Sequence, residues 1–129
     1  MNLNQATIYS AKPVETVEFF QKLGLRLIVD SLPRYARLEC PDGEATLSVN
    51  IADEAPAANQ VVLYFECDDV DAEVARLRSL GLEFIQEPRD EEWLWRQAYL
   101  LDPNGNKICL FHAGENRKTP PWRVSNPVA

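Results

Sequence analysis

The sequence predicts an α+β fold made of two tandem βαβββ modules, and three observations predict it. First, Leu23-Gly24-Leu25-Arg26-Leu27-Ile28 recurs as Leu80-Gly81-Leu82-Glu83-Phe84-Ile85, a step of 57 residues that also carries Ile8 onto Phe65, Val17 onto Val74 and Phe20 onto Leu77. Second, apolar residues at three- and four-residue spacing mark an amphipathic helix just before each repeated glycine. Third, two hairpin-turn sequences, Pro41-Asp42-Gly43 and Asp102-Pro103-Asn104-Gly105, stand late in each copy.

Taken in order, a strand around Ile8 leads into a helix carried by Val14, Val17, Phe20 and Leu23. Pro13 suits its first turn, because the N–H that proline lacks would be unpaired there anyway. Gly24 stands where the chain needs a left-handed residue to stop the helix. Strands at Tyr35–Cys40 and Ala45–Ile51 then flank the first turn, and the linker Asp53-Glu54-Ala55-Pro56-Ala57-Ala58-Asn59 is polar and broken by proline. In the second copy Asp68 and Asp69 supply capping carboxylates, with Glu73 near the positive end of a helix whose stripe is Val70, Val74, Leu77 and Leu80. Gly81 ends it, and strands at Gln97–Leu101 and Lys107–Phe111 flank the second turn. The expected organisation is one domain: residues 1–57 as the first module, 58–112 as the second, and 113–129 as a tail.

Composition narrows the function. The chain has 129 residues, 46% hydrophobic and 26% charged, enough for one soluble core. With 13 Lys+Arg against 20 Asp+Glu and a net charge of -7, it repels phosphate backbones and anionic membrane surfaces, so neither nucleic acid nor membrane is expected as a partner. No apolar run approaches the ~20 residues of a membrane helix. The start, Met1-Asn2-Leu3-Asn4-Gln5, lacks the basic and apolar stretches of a secretory signal. Cys40, Cys67 and Cys109 are odd in number with no close pair, which disfavours a disulfide framework or thiolate zinc site and suits a reducing cytoplasm.

With Phe19-Phe20 before Leu23-Gly24-Leu25, Asp68-Asp69-Val70-Asp71 leading to Leu77 and Gly81, and Asp102-Pro103-Asn104-Gly105-Asn106, the tandem repeat resembles the vicinal oxygen chelate superfamily. That family includes glyoxalases, extradiol dioxygenases, and fosfomycin- and bleomycin-resistance proteins. The resemblance covers residues 3 to 112. It implies modules side by side whose sheets curve into a cup-shaped open barrel (the glyoxalase/bleomycin-resistance fold), and a homodimer. An open sheet edge also needs cover.

In metal-dependent members of that family, four strand positions supply ligands: His, Glu, His and Glu. Carried over residue by residue, they fall on Gln5, Ser48 by a looser alignment, Val62 and Cys109. Glutamine can coordinate a metal; valine cannot, and a serine hydroxyl is a poor ligand. A catalytic divalent ion wants about three strong protein ligands. The single histidine, His112, is three residues beyond Cys109, an odd step that places it on the opposite strand face. The expectation is therefore no metal and no cofactor.

Strand alternation from those four positions suggests what lines the cup: Gln5, Thr7 and Tyr9; Thr46, Ser48 and Asn50; Val62, Tyr64 and Glu66; Lys107, Cys109 and Phe111, with Trp93 and Trp95 near and Trp95 as a wall. Aromatic planes with a few hydroxyls, amides and one carboxylate suit an organic ligand. Each residue also has a plainer role. The aromatics could simply fill the concave face, Cys109 could be a small buried apolar residue, His112 could pack at the strand end, and Glu66 could be ion-paired at a rim. The sharper role for Glu66 is a general base, or a clamp for a cation, with its pKa raised by burial.

Beyond Ala113, Glu115 to Val124 concentrates Arg117, Lys118 and Arg123 around Pro120-Pro121-Trp122. One reading is a strap whose Trp122 plugs an apolar gap while Arg123 pairs with a surface acid; the other is a lid or dimer clasp. For the whole chain the leading reading is a glyoxalase/bleomycin-resistance-like protein that binds a small organic molecule without a metal, leaning away from catalysis. The alternatives are a metal-independent isomerase or lyase using Glu66 or Tyr64, and a divalent-metal enzyme of glyoxalase or dioxygenase type with relocated ligands.

Overall fold

Pro13 and Gly24 bracket the first helix in the computed structural model, which describes residues 2–57 and 61–124. The order is β1 (Gln5–Ser10), α1 (Pro13–Lys22), β2 (Arg26–Ser31), β3 (Tyr35–Glu39), β4 (Thr46–Ile51), β5 (Val62–Glu66), α2 (Val70–Ser79), β6 (Phe84–Asp90), β7 (Arg96–Leu101) and β8 (Lys107–His112). A 3₁₀ turn, Gly114–Asn116, follows. This is the βαβββ pattern twice. Gly24 and Gly81 sit at φ +108° and +91°, the left-handed conformation that stops each helix. Asp69 caps α2, accepting from the Ala72 N–H at 3.0 Å. Among the described residues no helix is long and apolar enough to cross a membrane.

Each module contributes one four-stranded sheet. The first has order β1-β4-β3-β2, with β1 parallel to β4 and the other pairs antiparallel. The second repeats the arrangement as β5-β8-β7-β6, with β6 and β7 antiparallel. One face of each sheet takes its helix. Val17 and Phe20 of α1 are buried in the same unit as Ile8, Leu38 and Val49, and Val70, Val74 and Leu77 of α2 in the same unit as Leu100, Ile108 and Leu110. Each fully buried Phe or Leu contributes roughly 2–3 kcal/mol.

The chain divides into two compact units. Their division differs from the repeat boundary at 57/58. The first unit runs to Val61 and includes Leu101–Lys107, the turn between β7 and β8; the second holds Val62–Leu100 and the chain from Ile108. Polar bonds tie this turn to the rest of the first unit. Asn104 Oδ1 accepts from the Ser10 hydroxyl at 2.6 Å and its Nδ2 donates to Thr16 Oγ1 at 3.1 Å. Asp102 shapes the turn by accepting from the backbone N–H groups of Asn104 and Asn106 at 2.9 and 2.8 Å.

Of the two readings of the tail, the strap does not fit. Trp122 is 58% exposed and plugs no gap. Arg123 donates to Lys118 O and Thr119 Oγ1 of its own segment rather than to an acid. Arg117 is the tail residue paired with a carboxylate, that of Glu66 at 3.6 Å. Residues 58–60 of the linker region and 125–129 of the tail lie outside the described residues.

Candidate functional site

In the second unit, alternation along β5, β7 and β8 gathers aromatic rings on the sheet face away from α2. Phe111 and Cys109 point there from β8, Tyr99 from β7, Tyr64 from β5, and Trp95 enters from just before β7. Trp95 stacks on Phe111 with centroids 4.5 Å apart and planes 18° from parallel. Tyr64 meets both edge-on, at 6.2 Å from Trp95 and 5.9 Å from Phe111, and stays 52% exposed. Edge-on and stacked pairs are the arrangements ring quadrupoles favour. The expected wall residue, Trp95, is thus in ring contact with two other expected lining residues.

A polar rim adjoins the rings. Trp93 Nε1 donates to Gln97 Oε1 at 2.9 Å, and Gln97 Nε2 donates to Tyr99 Oη at 2.8 Å. Burial pushes the Tyr99 phenol far above its ordinary range, keeping it neutral. Burial likewise lifts the fully buried Cys109 thiol to about 11, against a smaller opposite pull from Tyr99. Trp95 also borders an open cleft of about 540 Å³ with Glu91, Leu94, His112 and Asn116. Leu94 lines it at φ +67°, a left-handed conformation that a leucine adopts only when its surroundings hold it there.

Glu66 corrects an expectation. Burial does raise its pKa, but the backbone N–H groups of Ala113 and Gly114, at 2.8 and 2.9 Å, stabilise the charged form. His112 at 3.9 Å and Arg117 at 3.6 Å add to that, and the carboxyl ends below its usual value. A carboxylate so engaged is a weak base, and the raised pKa of the general-base role is overturned. Glu66 fastens the start of the tail.

The first unit presents a polar face. Register pairs Gln5 with Thr46, Thr7 with Ser48 and Tyr9 with Asn50, so alternation sets these six on one side of the sheet. A hydrogen-bond chain crosses it. Thr46 Oγ1 donates to Gln5 Oε1 at 3.0 Å, Gln5 Nε2 donates to Ser48 Oγ at 3.1 Å, Ser48 Oγ lies 2.8 Å from Tyr35 Oη, and Arg37 Nε donates to Tyr35 Oη at 3.0 Å. The Ser48 bond, then the Arg37 guanidinium, hold the Tyr35 phenol below its ordinary value despite some burial. Tyr9, 55% exposed, borders a pocket of about 110 Å³ with Thr7, Pro56 and Val61. Sequence reasoning missed Tyr35 and Arg37 here, and Gln97 and Tyr99 in the second unit. The signal was available as period-two alternation along β3 and β7.

The four positions onto which the resemblance carries metal ligands do not suit a metal. Both polar atoms of the Gln5 amide are engaged by Thr46 and Ser48. Val62 has no side-chain donor atom, and Cys109 is fully buried and packed with Phe111 and Ala113. Among the described residues no three His, Cys, Asp or Glu side chains group closely enough to hold a metal ion.

Comparison with known proteins bears on the family. The model of the Glyoxalase/Bleomycin resistance protein/Dioxygenase superfamily matches residues 2–110. No curated protein matches the sequence. Many solved structures share the fold. A glyoxalase/bleomycin resistance protein/dioxygenase family enzyme from Burkholderia phytofirmans PsJN is 22% identical with TM-score 0.74, over 88% of this chain and 99% of that one. A lactoylglutathione lyase from Agrobacterium tumefaciens is 16% identical with TM-score 0.72, over 86% and 92%. TioX from Micromonospora sp. ML1 is 19% identical with TM-score 0.71, over 88% and 99%. At these identities the likeness is one of fold.

Proposed function

We propose a function from one premise: the chain belongs to the glyoxalase/bleomycin resistance protein/dioxygenase superfamily. On that premise the protein binds a small organic ligand with a flat, unsaturated group, without a divalent metal, on the aromatic face of its second unit. The observation that carries this reading is the half-exposed Tyr64 ring standing edge-on to the Trp95–Phe111 stack. Three rings in two orientations offer a ligand both a face and an edge, and Gln97 and Tyr99 beside them supply polar atoms for orientation.

The metal-free part rests on the donor chemistry of Gln5, Ser48, Val62 and Cys109, which lacks three strong ligands. Catalysis by Glu66 is set aside because its carboxylate is committed to the tail. A reducing, cytoplasmic setting fits the free thiols of Cys40, Cys67 and Cys109. A homodimer fits the edge positions of β1 and β2 in the first sheet, which leave backbone groups for another chain to cover.

A thermal-shift screen of aromatic and cationic metabolites tests the binding. A ligand at 100 times its Kd adds about 2.7 kcal/mol to the wild type and much less to Trp95→Ala. A hit that stabilises both equally would move the site elsewhere. Stoichiometric zinc, nickel, manganese or iron in the purified protein would overturn the metal-free part. Light scattering on the eluting peak of a sizing column reads the dimer directly.

A further inference from the structure

Arg37, on β3, has no carboxylate partner among the described residues, although the sequence carries 20 Asp+Glu against 13 Lys+Arg. Glu39, two residues along and on the same sheet face, is taken by Arg26 at 2.9 Å. Arg37 is half-buried and uses Nε on Tyr35 Oη, while its terminal nitrogens make no hydrogen bond among the described residues. A guanidinium partly withdrawn from water, with its fork unused, is the standard means of gripping a planar anion in bidentate fashion.

The neighbouring hydroxyls decide what else such an anion would meet. Ser48 is 1% exposed and already accepts from Gln5 Nε2. Its own hydrogen needs an acceptor, and among the described residues the one within reach is Tyr35 Oη. Tyr35 Oη then accepts twice, from Ser48 and Arg37, and its own proton is left to donate outward. The same two bonds hold the phenol below its ordinary pKa, which makes it a stronger donor.

We propose that Arg37 and Tyr35, positioned by Ser48 and Gln5, form a binding site for the carboxylate group of a small ligand. The terminal N–H groups of Arg37 take the carboxylate oxygens, and the Tyr35 O–H adds a further donor. A carboxylate is the better match than a phosphate because the site offers one positive charge. The other cation on this face, Arg26, is neutralised by Glu39, and no helix N-terminus is part of the network. The site lies wholly within the first unit, so it stands or falls independently of the aromatic face.

The test is NMR of the full chain, following the arginine Nε–Hε signals and the tyrosine Cζ signals while sodium acetate is added. Sodium chloride at matched ionic strength and inorganic phosphate serve as comparisons. The site predicts a saturable shift of the Arg37 signal and a rise in the Tyr35 pKa as acetate binds, because the anion cancels the guanidinium's pull on the phenolate. Arg37→Lys keeps the charge but loses the fork, and should weaken acetate binding about tenfold or more. Tyr35→Phe should keep the saturable shift at several-fold lower affinity. Amide spectra of both variants check that they fold. Three results would each overturn the proposal: the same shift with chloride, undiminished binding by Arg37→Lys, or phosphate binding tenfold tighter than acetate.

Discussion

The Trp95 indole lies almost flat on the Phe111 ring, at 4.5 Å and 18°, and its Nε1 donates to Asn116 O at 3.4 Å. One side chain thus ties the aromatic face to the 3₁₀ turn that opens the tail. Trp95→Ala removes the stack and uncovers Phe111, and should cost about 2–3 kcal/mol in urea denaturation. Trp95→Phe keeps a stackable ring and should cost about 1 kcal/mol. Equal losses for the two variants would show that stacking contributes nothing.

Glu66 makes stability depend on pH in a definite direction. Its folded-state pKa is below the ordinary 4.5, so the unfolded chain takes up the proton first as pH falls. Its contribution is complete well above pH 4.5 and is lost as pH falls through the lower, folded-state value. The carboxylate is one-third exposed, so Glu66→Gln should cost only about 1 kcal/mol at neutral pH. Denaturation midpoints of both proteins should converge as pH falls below 4.5 and through the lower, folded-state value. A gap that widens on acidification would mean that the folded-state pKa is raised instead.

The helices, the turns and the aromatic face were legible because each depends on residues close in sequence. Pro13, Gly24 and Gly81 act through their own backbone, and Tyr64, Cys109 and Phe111 follow from a period of two along single strands. What stayed hidden depends on distant partners. Arg37 on β3 pairs in register with Ser48 on β4, and that neighbour is set by strand pairing, which alternation along a single strand does not reveal. Burial of Glu66 was foreseeable. The two N–H groups that outweigh it come from Ala113 and Gly114, on a turn whose path no periodicity reveals. Arg117 rather than Arg123 meets an acid for the same reason.

Ser10 joins the β7–β8 turn to the first unit. Its hydroxyl donates to Asn104 Oδ1 at 2.6 Å, accepts from Lys12 N at 2.9 Å and lies 3.0 Å from Thr16 Oγ1, with both hydroxyl residues fully buried. Ser10→Ala leaves a buried acceptor and a backbone donor without this partner, at about 1–3 kcal/mol. Asn104→Ala removes the same link from the other side, so the double variant should lose less than the sum of the two by about 1 kcal/mol. Strict additivity would mean that the two residues act separately.

Cys109 offers a check on the metal-free reading that needs no ligand. With its pKa near 11, only about one thiol in a thousand is ionised at pH 8, and the side chain is fully buried as well. Iodoacetamide at pH 8 should therefore alkylate Cys109 at least about a hundredfold more slowly in the native protein than in urea. Cys67, also lifted to about 11 by burial with nearby carboxylates, should be slow too, though its partial exposure leaves it the faster of the pair. Mass spectrometry of the digested protein resolves the sites. Native alkylation of Cys109 at the rate seen in urea would reveal an accessible thiolate on the sheet face, and with it a fourth-position donor able to take a soft metal.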